Sequence, residues 1–326
     1  MKSLDQEIKY NIDLETSKIS IIDIGSNSIR MLIYENFNYS RVPFFNEKAV
    51  CELGKKWDKS RKLNNKGKEY ALKVLKRFSE ILNVSKIKNV RIIATAVLRE
   101  AIDAKDFILE VENLFNTKLK ILSGNEEAEY TAEGVKVGFK NVDGLVADLG
   151  GGSLELTKVE NNIITDKTSL PIGVLRLMNN PLIKKRNLSK YVRKLFKDEK
   201  WLSKKTFNNL YLVGGTWRAL FKLHLFENSH PVHIIHQYSV ERKQLQPFIN
   251  KIASFNKSKL KTVEYISKSR TPYLPYSSII LDEIMNLINP KNILCSISGI
   301  REGALAIEYF KDFSQNQIFN NSLNYL

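Results

Sequence analysis

Apolar positions along the chain follow two periods. Residues 19–24 and 29–34 are short Ile-, Leu- and Met-rich runs on either side of a polar turn, Gly25 to Ser28, which predicts a β-hairpin. Between residues 66 and 82 the spacing changes to three and four: Tyr70, Ala71, Val74, Leu75, Phe78, Ile81 and Leu82 follow Asn64-Asn65 and predict an amphipathic helix. Strands are predicted at 90–94 and 119–122, with helices at 103–115 and 125–139. A second hairpin, 145–149 with 154–159, closes on a glycine turn, and 163–170 adds a strand. Helical patterns return near 174–180, 188–200, 215–226, 241–253 and 276–288, with strands at 210–213 and 292–296 and a last amphipathic stretch from Arg301 to Phe313. Interleaved strands and helices predict α/β layers.

The hairpins are related. Laying residues 21–35 over 146–160 pairs Asp23 with Asp148, Gly25 with Gly150 and Ser28 with Ser153, an Asp-x-Gly-x-x-Ser turn repeated at an offset of 125 residues. Two such turns, each between apolar strands, imply a duplicated domain and matching loops facing one cleft. The length of 326 residues fits two domains.

Glycine is rationed to these places. Ten of the 15 glycines (Gly25, Gly124, Gly150, Gly151, Gly152, Gly173, Gly214, Gly215, Gly299 and Gly303) fall in a few short motifs. Such turns let backbone amides close on an anion, and Gly214-Gly215-Thr216 lies where a strand meets a helix N-terminus. Each motif alone reads first as an ordinary turn; together they point to phosphate. Charge agrees: 51 Lys and Arg against 35 Asp and Glu give a net charge of +16, which draws in anionic partners. Cys51 and Cys295 lack metal or disulfide spacing and suit a reducing cytoplasm. No apolar leader or membrane-length apolar run is present, so neither secretion nor membrane spanning is predicted.

Six segments in order resemble one family. AspIleGlySerAsnSerIleArg (23–30), AlaThrAlaValLeuArgGluAla (94–101), LeuSerGlyAsnGluGluAla (122–128), AspLeuGlyGlyGlySerLeuGlu (148–155), ValGlyGlyThrTrpArgAla (213–219) and SerGlyIleArgGluGly (298–303) look like successive motifs of the exopolyphosphatase/guanosine pentaphosphate phosphohydrolase (Ppx/GppA) family. The resemblance implies a two-lobed, actin-like α/β fold of duplicated ribonuclease-H-like domains, related to sugar kinases and heat-shock ATPases. Its divisions here would be a polar extension at 1–17, lobe I at 18–126, lobe II at 127–300, and a closing helix and tail at 301–326 returning to lobe I. Longer relatives carry further helical domains, so a short two-lobe form is implied.

The same resemblance implies roles. Glu127 matches the family's general base, with Glu126 as its competitor, since acidic residues also suit a first helical turn. Asp148 and Glu155 match the magnesium-linked carboxylates, a set that suits Mg or Mn; Asp23, their counterpart in lobe I, either assists the metal or braces its loop. Arg30 and Arg99 match phosphate-gripping arginines, or else pair with structural carboxylates. Ser26, Asn27, Ser28, Gly150, Gly151, Gly152, Ser153, Gly214, Gly215 and Thr216 would line the phosphate cradle, and Arg301 and Glu302 read as an interlobe ion pair as readily as site residues. The chain departs from the family at Val174, where some relatives have cysteine, and at Leu154, where threonine is commoner.

The implied reaction is hydrolysis of terminal phosphoanhydride bonds in inorganic polyphosphate, with the 5′ γ-phosphate of guanosine pentaphosphate (pppGpp) as the alternative substrate. A basic nucleic-acid-binding protein is the rival from another class, supported by charge but by no base-reading motif. An ATPase or kinase is a third reading, opposed by the Ser-Asn-Ser loop and the GluGluAla segment. His230, His233 and His236 have metal-like spacing, yet Pro231 and the β-branched residues between them oppose a helix and favour packing or surface placement. Basic runs at 55–62, 184–186 and 201–205 are solvated faces unless they converge on the cleft. Oligomeric state, a homodimer included, is left open by the sequence.

Overall fold

The computed structural model describes residues 18–35, 43–55, 61–202 and 207–309. The N-terminal extension, the tail beyond 309 and most of the basic runs at 55–62 and 201–205 lie outside the described residues.

Lobe I is built from β1 (Lys18–Ile24), β2 (Ile29–Glu35), β3 (Phe45–Ala49), α1 (Asn65–Val84), β4 (Asn89–Ala94), α2 (Ala96–Glu100), α3 (Ala104–Phe115) and β5 (Leu119–Ile121). Its sheet has the order β3-β2-β1-β4-β5; β1, β2 and β3 form an antiparallel meander, and β4 and β5 run parallel to β1. Alternation divides the apolar residues between two faces. Ile22, Ile24, Met31 and Ile33 meet the apolar stripe of α1 and α3, including Val74, Phe78 and Phe107. Ile19, Ile21, Leu32 and Tyr34 form the opposite face.

Lobe II begins with α4 (Gly124–Gly138), followed by β6 (Gly144–Leu149), β7 (Leu154–Glu160), β8 (Ile163–Leu170), α5 (Val174–Asn179), α6 (Leu188–Asp198), β9 (Asn209–Val213), α7 (Gly215–Glu227), β10 (Ser239–Glu241), α8 (Arg242–Ser254), α9 (Lys257–Lys261), α10 (Leu274–Ile288), β11 (Asn292–Cys295) and α11 (Ile300–Ala304). The sheet order β8-β7-β6-β9-β11 repeats that of lobe I strand for strand, with β10 added antiparallel at the edge. The duplication inferred from two turns therefore extends to the whole sheet, and the chain is a two-lobed, actin-like α/β protein.

Two helices fill the space between the sheets. One side of α4 packs Ala132 and Val135 against Val146, Val159, Tyr211 and Val213 of lobe II. Tyr130 of α4 joins Ile300 and Ala304 of α11 and Leu305 against the second face of lobe I. α4 and α11 cross at backbone distance, because a Cβ on Gly134 would collide with the Gly299 carbonyl and one on Gly303 with the Tyr130 carbonyl. After Ala304 the chain continues as a π-helical turn, Leu305–Tyr309, where a regular helix to Phe313 is predicted; residues past 309 lie outside the described residues.

The predicted elements otherwise agree with the structure to within two or three residues. The patterns of β3 and β10 escape detection because edge strands bury little: β3 has one buried residue, Ala49, and β10 has Val240. At five residues, α2 is too short for a helical period to register.

Candidate active site

Strand alternation aims the polar residues. Asp23 shares a side of β1 with Ile19 and Ile21, and its cross-strand partner is Arg30 on β2. Asp148 sits at the same place on β6, opposite Glu155 on β7. Both pairs therefore end the sheet faces turned toward α4 and α11, just where each hairpin turns. One register further on, Arg30 pairs with Lys48 and Glu155 with Ser169. The two halves of the repeat have thus diverged in charge, with a carboxylate backed by cations in lobe I and a carboxylate backed by a second carboxylate in lobe II.

The turns themselves remain alike. Gly25 N–H donates to Ser28 O at 3.1 Å and Gly150 N–H to Ser153 O at 3.0 Å. In the first turn Ser26 O accepts from Gly54 N–H and Asn27 O from Glu52 N–H. In the second, the start of α5 takes the carbonyls, with Val174 N–H on Gly150 O and Leu175 N–H on Gly151 O. Carbonyls held by neighbouring segments leave the amides of such a loop to an anion. A third anion-seeking feature is the N-terminus of α7 at Gly215 and Thr216. Gly214 before it has φ 103°, and a Cβ there would press on Leu149 O and Asp148 Oδ1, so only glycine suits the position.

These parts line one open cleft of about 1060 Å³, solvent-facing mouth included. Ser26, Asn27, Ser28, Arg30, Gly150, Gly151, Gly152, Ser153, Gly214, Gly215, Thr216, Asp23, Asp148 and Glu127 all reach its wall. Arg99 and Glu155 stand one layer behind, where they act on groups that do. Arg99 Nη1 donates to Leu122 O at 2.6 Å and to Glu127 Oε2 at 3.1 Å.

Glu126 and Glu127 have separate places. Glu126 closes a capping box, its carboxylate accepting from Ser123 N–H at 2.8 Å while its own N–H donates to Ser123 Oγ. Glu127, one residue on, is 7 % exposed and faces the cleft. Burial pushes its carboxyl well above the usual carboxylate range, Glu155 and Asp148 push the same way, and Arg99 opposes them. A buried carboxylate on the wall of this cleft, with raised basicity and a cation fixing its rotamer, can take a proton from water.

The lobe II carboxylates fit a divalent cation. Asp148 Oδ2 accepts from Thr131 Oγ1 at 3.0 Å, and Glu155 Oε1 accepts from Ser169 Oγ at 2.7 Å. The other Glu155 oxygen, Oε2, is buried without a hydrogen-bond partner. Burial and the nearby Asp148 push the Glu155 carboxyl up to about 7, relief for which would come from a cation between the pair. Two carboxylates with room for water and substrate oxygens suit Mg better than a closed all-protein cage. Asp23 is differently employed, its Oδ2 accepting from Arg301 Nη1 at 3.0 Å.

Further cations line the cleft, among them Arg301 of the last family motif. Lys48, Arg218, Arg270 and Arg301 join Arg30 on the wall. Arg30 Nε donates to Asn46 Oδ1, Arg218 Nε to Gly214 O, and Arg270 lies flat against Gly215. None of Arg30, Lys48, Arg218 and Arg270 forms an ion pair among the described residues. Arg218 stands inside a motif already quoted; Lys48 and Arg270 sit in segments without glycine or repeat, and only folding shows where they point.

The histidines disperse. His224 Nδ1 meets the Tyr238 hydroxyl, His230 bonds to Val232 of its own loop, and the His236 ring packs edge-on to Phe139. Among the described residues no cluster of three or more His, Cys, Asp or Glu side chains is placed to hold a metal. Of the basic runs, Lys185 donates to Phe255 O.

Solved structures share this architecture. An exopolyphosphatase from Cytophaga hutchinsonii superposes with a TM-score of 0.81 at 20% identity, over 90% of this chain and 98% of that one. A Ppx/GppA family member from Aquifex aeolicus gives 0.75 at 22% identity, over 90% and 98%. Among curated sequences, a bifunctional 3-dehydroquinate synthase/phosphatase from Fusobacterium nucleatum is 28% identical over 87% of this chain and 45% of its own length. A guanosine-5'-triphosphate,3'-diphosphate pyrophosphatase from Aeromonas hydrophila is 32% identical over 49% of this chain and 32% of its own. The chain thus spans less than half the length of these curated relatives. Residues 16–309, carrying both hairpins, the capped α4 and the closing α11, match the model of the Ppx/GppA phosphatase family, and the chain belongs to that family.

Proposed function

We propose that the chain hydrolyses terminal phosphoanhydride bonds of inorganic polyphosphate and releases orthophosphate. The observation that carries this reading is the juxtaposition, in one cleft, of buried Glu127 with two amide-rich turns and four cations that lack carboxylate partners. One phosphate needs fewer cations; a run of linked phosphates uses them all.

The terminal phosphoryl group sits between the Gly25–Ser28 and Gly150–Ser153 turns, with the α7 N-terminus offering further N–H groups. Glu127 accepts a proton from a water, whose oxygen bonds to phosphorus in line with the bridging oxygen. The bond to that bridging oxygen breaks, and the shortened chain leaves as an anion stabilised by Arg30, Lys48, Arg218 and Arg270. Arg99 fixes the orientation of Glu127. Asp148 and Glu155 are the residues that would hold Mg or Mn, a cation that neutralises charge on phosphoryl oxygens when bound.

Phosphate release from long-chain polyphosphate by wild type and Glu127→Gln tests the proposal. The amide keeps the shape and removes the base, so kcat is expected to fall by at least about 100-fold. Wild-type turnover by Glu127→Gln would sink the assigned role.

Hydrolysis of the guanosine pentaphosphate 5′ γ-phosphate is the second reading. Tyr273, beside Arg270 on the cleft wall, offers an aromatic face to a base. Side-by-side release assays separate the two substrates. Salt-sensitive binding of nucleic acid with neither polyphosphate nor pentaphosphate cleaved would instead favour the non-enzymatic rival.

A further inference from the structure

The short helix α2 of lobe I touches two parts of the site that belong to lobe II. Its residue Arg99 holds Glu127 on α4. The next residue, Glu100, points the other way and receives Arg176 of α5, whose Nη2 lies 2.7 Å from both carboxylate oxygens. Arg176 also donates through Nε to Gly152 O at 2.7 Å, inside the second glycine turn. The backbone repeats the same grip, since Arg176 N–H donates to Gly151 O and Leu175 N–H to the same oxygen.

Around this pair the lobes touch. Ser26, Gly54, Ala96 and Val97 from lobe I meet Gly151, Gly152, Leu175 and Arg176 from lobe II across a small gap. A Cβ on Gly152 would crowd that of Ala96, and one on Gly151 that of Ser26. Side-chain exposure of Arg176 and Glu100 is 20% and 25%, low enough that the pair is shielded from solvent.

We propose that Arg176 is a positioning residue: through its pairing with Glu100 it sets the Gly150–Ser153 turn and the Arg99–Glu127 pair in register when the lobes meet. The proposal rests on the reading of Glu127 as general base and adds what keeps that base aligned with the phosphate cradle. Separation of the lobes breaks the Arg176–Glu100 contact; α2 then loses its tether, and Arg99 and the glycine turn move independently. Misalignment at the reacting centre lowers kcat rather than binding, since small displacements cost as much as about 100-fold in rate. Loss of this one pair leaves every cleft cation present, so KM is expected to move little.

The test compares Arg176→Gln, Glu100→Gln and the double variant in phosphate release, using polyphosphate or guanosine pentaphosphate according to which is hydrolysed. Each single variant is expected to lose about 10- to 50-fold in kcat with KM changed by less than about twofold. The double variant should be no slower than the worse single, because both changes break one contact. Arg193→Gln, which breaks the pair with Glu283 on the far side of lobe II, serves as a control with unchanged kcat. Glu100→Gln leaves the Arg176–Gly152 bond intact, so it reports on the interlobe pair even where Arg176→Gln folds poorly; unfolding midpoints identify that case. Wild-type kcat in Glu100→Gln, or losses that multiply in the double variant, would overturn the proposal. An active Glu127→Gln would overturn the underlying reading instead, and an inactive Glu127→Gln beside a fully active Glu100→Gln would overturn the positioning role alone.

Discussion

At the scale of single residues, the site is governed by what burial does to charge. Glu127 is raised by its own desolvation and by Glu155 and Asp148, and lowered by Arg99. In the proposed role of base it works when ionised, so kcat should rise with pH through a midpoint above the ordinary carboxylate range. Arg99→Met removes the one group that lowers it, and the acid limb of the kcat profile should move to still higher pH; a limb that stays put would show that Arg99 does not act on the base. Lys48 titrates in the opposite sense. Burial and the arginines Arg270, Arg218 and Arg30 around it push its amine down to about 8. It carries charge below that pH and loses it above, so KM for polyphosphate should climb as pH passes about 8, with kcat less affected. In Lys48→Met this alkaline rise in KM should be absent, from a baseline already raised.

At the scale of elements, α4 is the part on which both lobes depend. Its first turn presents Glu127, its middle packs on each sheet through different sides, and its glycine admits α11. Gly134→Ala would drive a methyl into the Gly299 carbonyl. Stability should drop by roughly 1–3 kcal/mol, read from a urea denaturation midpoint, as for other overpacked contacts. An unchanged midpoint would mean that the crossing yields without cost. α1 is legible in the sequence because its helical stripe matches a face that is buried, and β1 because it is a continuous apolar run buried on both faces. The first-turn place of Glu126 is legible too, but the structure shows it closing a capping box with Ser123 and leaving Glu127 to the cleft. α2 is not legible as a helix, although its Arg99 sits in a recognisable motif. Five residues specify a helix only when its neighbours in the fold hold it, and the Thr95 side chain makes no cap here.

At the scale of the whole molecule, the cleft exists because two copies of one sheet face each other with unlike charges. Lobe I contributes Arg30 and Lys48, and lobe II supplies Asp148 and Glu155 together with Arg218 and Arg270. A polyanion held by four cations should bind more weakly in salt. KM for long-chain polyphosphate is expected to rise at least about tenfold between about 50 and 200 mM salt, and less steeply for tripolyphosphate. A flat response for both would mean that the cations do not contact the chain. The sequence by itself determined the α/β alternation, the duplication and the two matching glycine turns, because these are local patterns with fixed spacing that any fold must honour; the roles proposed for the carboxylates came from the family motifs. Only the tertiary structure decided that Asp23 pairs with Arg301, that Glu155 stands behind Asp148, and that Lys48 and Arg270 join the same wall. Those relations join residues distant along the chain, and only the closing of two sheets over α4 and α11 brings their charges together.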